Sequence, residues 1–197
     1  MLRKLFEIGG FVTGGVLIVF GVAAILVGAS SHRMVRSGLS SEHVVGTADM
    51  NPATMRAEAT HNGLRDITVP TCSVAGVPIT TGARARCFAM YMEIQALEVA
   101  GGKTYAQTSL YATADGKGTN TISQALYDSN GVAIDNPARQ VWVNEIALSS
   151  ALNLSYVSER LSLFSMLIGV ALILSGIGFV VLDVAALHRR RGGRDPR

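Results

Sequence analysis

Two long apolar stretches stand out along the chain, one near each end. Residues 9–29 and residues 161–182 contain no charged side chain. Each is longer than the ~18 residues that a helix needs to cross a hydrocarbon core about 30 Å thick. The pattern therefore predicts transmembrane helices at 9–29 and 161–183, with a mixed polar and apolar segment, 30–160, between them.

The first apolar stretch also has features of a secretory signal peptide. Arg3 and Lys4 provide a basic start, and the sequence VGA at 27–29 suits a signal peptidase. Signal-peptide cores are typically about 7–15 residues long, and this stretch is longer. Its length favours an uncleaved anchor that follows a short N-terminal segment, residues 1–8.

Helix start and stop signals divide the segment between the spans. Asn-Pro at 51–52 suits the cap and first position of a helix that ends at Asn-Gly 62–63. Apolar residues at helical spacing predict a second helix from Cys87 to the glycine pair at 101–102. Asn-Pro at 136–137 opens a last helix that we expect to run through the second span to about Asp183. Turn-rich pieces and short strand-like runs lie before it.

The two cysteines, Cys72 and Cys87, both lie between the spans. An exported pair with no cysteine left over is typical of one disulfide, which would stabilise a small domain by ~3 kcal/mol for a loop of about 15 residues. Two free thiols would be preferred in a cytosolic segment, and a metal site would need further ligands close by. The expected fold is a mainly α membrane protein in which two transmembrane helices flank a small α-rich (α+β) domain with one disulfide.

Composition and charge support a membrane location. Of 197 residues, 49% are hydrophobic and only 16% are charged, which is too apolar for an ordinary soluble domain. Basic residues cluster at the N-terminus and in the tail, 184–197, so the positive-inside rule places both ends in the cytoplasm and the middle segment outside. That segment is nearly neutral, so the pI of about 9.1 reflects topology and does not indicate nucleic-acid binding.

Two candidate sites for chemistry can be tested on the sequence. The GGKT sequence at 101–104 is similar to the end of a phosphate-binding loop, but the glycine required earlier is Leu97, and a helix precedes it. We therefore interpret GGKT as a helix end and turn. His43, His61 and Glu58 could form a two-histidine, one-carboxylate iron site. The competing interpretation makes His61 a solvated residue at a helix end.

Small residues recur every seven positions in both spans and form a stripe on each helix, which allows close helix packing in lipid. The stripes comprise Gly14, Gly21 and Gly28 in the first span, with Gly10 four positions before the first of them, and Ser162, Gly169 and Gly176 in the second. The competing interpretation is that glycine is common in membrane helices. The pattern leaves open whether the stripes pack against each other or against a partner.

The stretch ALEVAGGKTYAQ resembles a group of small two-span membrane proteins from actinobacteria that often carry the label aromatic ring-opening dioxygenase. The likeness extends to the loop at 74–79 and to the start of the second span at 161–164, and covers residues 72–106 and both spans. The resemblance implies the two-span topology, and the label implies an iron enzyme. The histidine of the family's helix is Gln95 here, however, and a full set of metal ligands cannot be assembled.

The sequence therefore favours a non-enzymatic protein of the cell envelope in the cytoplasmic membrane. It would act as a scaffold or subunit without a cofactor, in contact with the lipid bilayer and with a second copy or another membrane protein, and not with nucleic acid. The alternatives are an extracytoplasmic non-haem iron dioxygenase that uses His43, His61 and Glu58, and an accessory subunit of a transporter. Two spans without an intramembrane charge do not form a substrate pathway by themselves.

Overall fold

The computed structural model describes residues 2–64 and 67–192, and these residues are mainly helical. The helices are α1 (Leu2–Ser41), α2 (Pro52–His61), α3 (Gly82–Val99) and α4 (Pro137–Gly192), with short 3₁₀ turns at Tyr105–Gln107 and Ile122–Gln124. The basic tail residues Arg194 and Arg197 lie outside the described residues. Contacts divide the chain into two compact units. We call α1 up to Met34 and α4 from Ser158 the helix pair, and Val35–Val157 the middle unit.

Both long helices contain a candidate membrane span. The segments Gly9–Ser41 and Pro137–His188 are long and apolar enough to cross a membrane, with a mean hydropathy of 2.5 in the most apolar part of each. Only 11% of each of these parts is buried inside the structure. The apolar side chains of both helices therefore lie mostly on the outside, unlike those of a core helix in a soluble protein, which are mostly buried.

Capping residues explain where the two shorter helices begin. Asn51 caps α2, because its Oδ1 accepts a hydrogen bond of 3.0 Å from the backbone N–H of Thr54. Thr81 caps α3 in the same way, and its hydroxyl oxygen accepts from the backbone N–H of Arg84 at 3.3 Å. The prediction that this helix begins at Cys87 is wrong, because the threonine cap starts it at Gly82 and shortens the loop that precedes it.

The segment between α3 and α4 folds without regular strands. Three backbone hydrogen bonds close a triangle: Ala112 donates to Ile134 at 2.9 Å, Ile134 to Leu126 at 2.8 Å, and Leu126 to Ala112 at 2.9 Å. Each of these residues uses its N–H on one neighbour and its carbonyl on the other. The strand-like runs that the sequence predicts here therefore contribute only isolated bridges, and the described residues form no β-strand.

The middle unit has two apolar clusters. The larger one gathers buried side chains from α2, α3, α4 and the loops between them: Met50, Met55, Val74, Ile79, Ala85, Cys87, Ala89, Tyr91, Ile94 and Leu152. The smaller one packs Ala96 of α3 and Ala100, the residue that follows this helix, against Trp142 of α4. Because α3 contributes to both clusters, it is the central helix of the middle unit.

Candidate functional site

The stripe residues of the two long helices meet inside the helix pair. A methyl group added at Gly21 would lie 2.6 Å from the carbonyl oxygen of Gly169, which is closer than any real Cβ contact. The same holds at 2.7 Å for Gly14 against Gly176 and for Gly28 against the carbonyl oxygen of Ser162. The two helices run antiparallel, and at each of these three points the backbones approach so closely that a side chain on the α1 residue would not fit.

Polar groups accompany this close packing. The hydroxyl of Ser165 on α4 donates to the carbonyl oxygen of Ala24 on α1 at 2.9 Å. Buried Ser162 donates back along its own helix to the carbonyl oxygen of Ser158 at 2.7 Å. Gly10 packs directly against the carboxylate of Asp183, which would have to move to admit a methyl group at this position. The stripe therefore continues to the end of the helix pair where α1 begins, and there Gly10 leaves space for the carboxylate of Asp183.

The candidate iron ligands lie at separate exposed places. His43 follows α1 and has a positive φ of 51°, whereas His61 is in the last turn of α2. Glu58 is one turn before His61 and is partly buried. In residues 2–64 and 67–192, no group of three or more His, Cys, Asp or Glu side chains could hold a metal ion. The geometry therefore gives the iron interpretation no support within the described part of the chain.

Gln95 makes a contact that joins two elements of the middle unit. Its amide Nε2 donates to Oδ2 of Asp49 at 2.7 Å and joins α3 to the loop before α2. Burial opposes the ionisation of Asp49, but hydrogen bonds from Thr47, from the Asp49 backbone and from Gln95 outweigh it, so the pKa of Asp49 lies below its usual value.

Asp49 and Glu98 both act electrostatically on a third carboxyl group, that of Glu58. Burial raises the pKa of Glu58, and the negative charges of Asp49 and Glu98 raise it further. Oε1 of Glu98 is buried and makes no hydrogen bond. The negative charges of Asp49 and Glu98 therefore disfavour ionisation of Glu58, and this is a source of pH dependence in the middle unit.

The GGKT sequence lies at the end of α3 and contacts a residue of α4. Gly101 and Gly102 have positive φ angles of 63° and 77°, which lets the chain turn after Val99, so the interpretation of GGKT as a helix end and turn is confirmed. The carbonyl oxygen of Lys103 accepts a hydrogen bond of 2.9 Å from the indole Nε1 of Trp142. This turn therefore anchors the smaller apolar cluster.

The predicted disulfide is present, and it is part of the larger cluster. Cys72, in the loop after α2, is bonded to Cys87 in α3. The hydroxyl of fully buried Tyr91, one turn further along α3, donates to the carbonyl oxygen of Cys72 at 2.6 Å. Arg86 lies over the ring of Tyr156 at 4.7 Å and joins α3 to α4. The covalent bond, the phenol and the cation–π contact together fix α3 to the elements around it.

A small pocket lies at the start of α4. It has a volume of about 160 Å³, below the 300–1,000 Å³ typical of ligand pockets, and is lined by Leu110, Asp135, Asn136, Arg139, Gln140 and Val143. The guanidinium of Arg139 donates to the carbonyl oxygen of Thr108 at 3.0 Å and to the hydroxyl of Tyr105 at 2.9 Å, and it lies over the Tyr105 ring at 4.1 Å. Arg139, the cation that lines this pocket, therefore has a structural role.

Several of these contacts have no clear signal in the sequence. Arg139 and Tyr105 are more than thirty positions apart, and no local pattern marks them as partners. The only signal for Trp142 is that the chain's one tryptophan comes just after a helix start. Comparisons with known proteins add no further constraint: no family model, no curated protein and no solved structure matches this chain.

Proposed function

We propose that this protein is a two-span protein of the cytoplasmic membrane that holds a small disulfide-tied domain outside, as a scaffold or subunit and not as an enzyme. One observation carries the proposal. The helix pair buries its small residues against each other and leaves large apolar side chains such as Phe20, Leu167 and Leu174 about two-thirds exposed. That arrangement is stable in lipid, whereas in water it would expose a large apolar surface.

The orientation rests on charge and on the disulfide. Basic residues at both ends of the sequence favour the cytoplasmic side for both termini. A disulfide within the middle unit favours an oxidising compartment for that unit. The basic residues at the ends of the sequence and the disulfide in the middle unit are independent features, and both support the same topology.

The non-enzymatic role rests on what the polar side chains contact. Gln95 holds Asp49, Trp142 holds the turn at Lys103, and Arg139 is held by Tyr105. Each of these groups joins one element of the middle unit to another. Because the stripe residues are already used within the helix pair, a second copy or a membrane-protein partner would contact other surfaces of the chain.

Thiol labelling in intact cells tests the topology. We expect Asn130→Cys, in an exposed turn of the middle unit, to react with a membrane-impermeant maleimide from outside. We expect Gly193→Cys to react only after the cells are opened. The two native cysteines are bonded to each other and do not compete for the reagent. The reverse labelling pattern would overturn the orientation.

Metal analysis tests the non-enzymatic part of the proposal. After anaerobic purification, we expect no stoichiometric iron, and we expect His61→Ala to leave the metal content unchanged. One iron per chain that is lost in His61→Ala would favour the oxygenase alternative. If no iron is found, cross-linking in native membranes, followed by mass spectrometry of the captured chains, would identify the partner that a scaffold or subunit requires.

A further inference from the structure

A histidine and a glutamate face each other where the helix pair ends near Met34 and Ser158. Nδ1 of His32 on α1 lies 3.7 Å from Oε1 of Glu159 on α4. Both side chains are largely buried, with only 26% and 13% of their surfaces exposed. Nδ1 of His32 is itself buried and makes no hydrogen bond. A nitrogen that can take up a proton therefore lies opposite a carboxylate across the contact between the two helices.

We propose that His32 and Glu159 form a pH-dependent latch, which holds this end of the helix pair more tightly when His32 is protonated. Histidine is the side chain whose charge ordinarily changes between pH 5 and pH 8. A proton on Nδ1 supplies both a positive charge and an N–H donor that faces the carboxylate. Partial burial of the two groups reduces screening of their attraction by salt.

The other charged and titratable groups within one helical turn of the latch are Arg33 and Arg36 on α1, and Tyr156 and Arg160 on α4. Arginine and tyrosine side chains keep their charge between pH 5 and pH 8. Arg33 is directed along its own helix, where its Nε donates to the carbonyl oxygen of the preceding turn at 3.3 Å. His32 is therefore the only side chain in this set of the type that ordinarily changes its charge over that range.

The latch goes beyond the proposed function, because it concerns the helix pair alone and does not depend on which side of a membrane the middle unit occupies. Its physical consequence is a change in how often this end of the pair opens. The attraction requires a proton on the imidazole, so the latch holds this end of the pair more often at pH 5 than at pH 8. For one partly exposed pair, we expect the closed population to change about threefold.

Distance measurements between spin labels test the latch on the full-length chain in lipid nanodiscs. Met34→Cys and Leu161→Cys place labels on exposed positions near this end, 73% and 63% exposed. The native cysteines stay bonded to each other and remain unlabelled. We expect the short-distance population to increase about threefold from pH 8 to pH 5.

Four variants distinguish the latch from a general effect of pH. We expect His32→Gln and Glu159→Gln to abolish the response, and His32→Lys, which stays charged, to give the closed population at both pH values. His43→Gln removes an exposed histidine of the middle unit and should keep the full response. The proposal is overturned if the unsubstituted pair shows no pH response, or if His32→Gln or Glu159→Gln retains it.

Discussion

The helix pair and the middle unit are stabilised in opposite ways. In the helix pair the smallest residues, such as Gly21 and Gly169, lie inside, and large apolar residues such as Leu174 lie outside. In the middle unit the large side chains of Tyr91 and Met55 are fully buried, and a disulfide supports them. This difference is what the proposed function requires of one chain in two solvents, lipid around the helix pair and water around the middle unit. Close backbone packing stabilises helices in lipid, whereas burial of apolar area stabilises a domain in water.

The comparison has a direct consequence for mutagenesis. The two units have separate interiors, and substitutions far apart with no shared partners usually act additively. A substitution inside one unit should therefore leave the stability of the other unchanged.

Removal of the disulfide should have the largest effect. We expect Cys72→Ser to lower the free energy of unfolding of the middle unit by about 3 kcal/mol, because the open chain regains the entropy that the loop closure removed. Limited proteolysis should then cleave within Val35–Val157, while the chain remains in the membrane after alkaline extraction. Unchanged protease resistance, or release from the membrane, would contradict the separation of the two units.

A large residue in the stripe should weaken only the helix pair. We expect Gly21→Leu to destabilise the pair by about 2 kcal/mol, because the new side chain collides with the carbonyl oxygen of Gly169. Gly15→Leu is the matched control, since an added Cβ at Gly15 meets nothing within 4 Å. The spin-label distance between Met34→Cys and Leu161→Cys should broaden in the first variant and stay unchanged in the second. Equal effects of both variants would mean that the stripe is not the contact.

Part of the fold could be predicted from the sequence, and the reasons are local. The pair Asn51 and Pro52 marks the start of α2, because a cap and a proline act within one turn of chain. The start of α3 was missed because the apolar spacing from Cys87 onward is a stronger pattern than a single capping threonine at Thr81. The strand-like runs were predicted from composition, whereas the triangle of hydrogen bonds that holds them depends on residues far apart in sequence.

Part of the candidate site could likewise be predicted from the sequence, and part could not. The heptad spacing of the stripe residues could be predicted from the sequence, but their pairing, Gly14 with Gly176 for example, depends on how two distant helices align. The hydrogen bond between Trp142 and Lys103 likewise could not be predicted from the sequence, because it joins positions 39 apart. Local chemistry is therefore readable from the sequence, whereas partners at long range require the fold.

Loss of the tryptophan hydrogen bond should have a smaller effect, confined to the middle unit. We expect Trp142→Phe to cost about 1 kcal/mol, because phenylalanine retains an aromatic ring but leaves the carbonyl oxygen of Lys103 without the indole donor. Urea unfolding of the full-length protein in detergent, followed by protease susceptibility of the middle unit, measures the change. An unchanged midpoint would show that this hydrogen bond contributes nothing.

The acidic groups of the middle unit should give the smallest effect, visible as a pH dependence. The folded state raises the pKa of Glu58 and therefore holds its proton more tightly than the unfolded chain does. The contribution of Glu58 to stability is therefore present at low pH and is lost as the pH rises through its raised pKa. We expect Glu58→Gln to stabilise the middle unit at neutral pH, by less than about 1 kcal/mol, and to flatten this decline.

Asp49 provides the opposite control. Its pKa lies below the usual value in the folded state, so its contribution is present above the ordinary range of an aspartate and is lost as the pH falls. Asp49→Asn should therefore destabilise the middle unit at neutral pH and have little effect at low pH. Thermal unfolding of both variants at about pH 2, below the ordinary pKa of an aspartate, and at pH 7 checks the two signs. A shift in the same direction for both variants at pH 7 would contradict the electrostatic account.

The accessibility of spin labels along α4 tests the two-solvent account most directly. Single labels at Leu154, Leu167, Leu174 and Leu182 occupy exposed positions, each about two-thirds exposed. In liposomes, we expect the label at Leu154 to collide mainly with a water-soluble nickel reagent and the labels at Leu167 and Leu174 mainly with oxygen, which concentrates in lipid. The label at Leu182 should show the return toward water. Uniform collision with the nickel reagent along all four positions would contradict the account, because these side chains would then face water throughout.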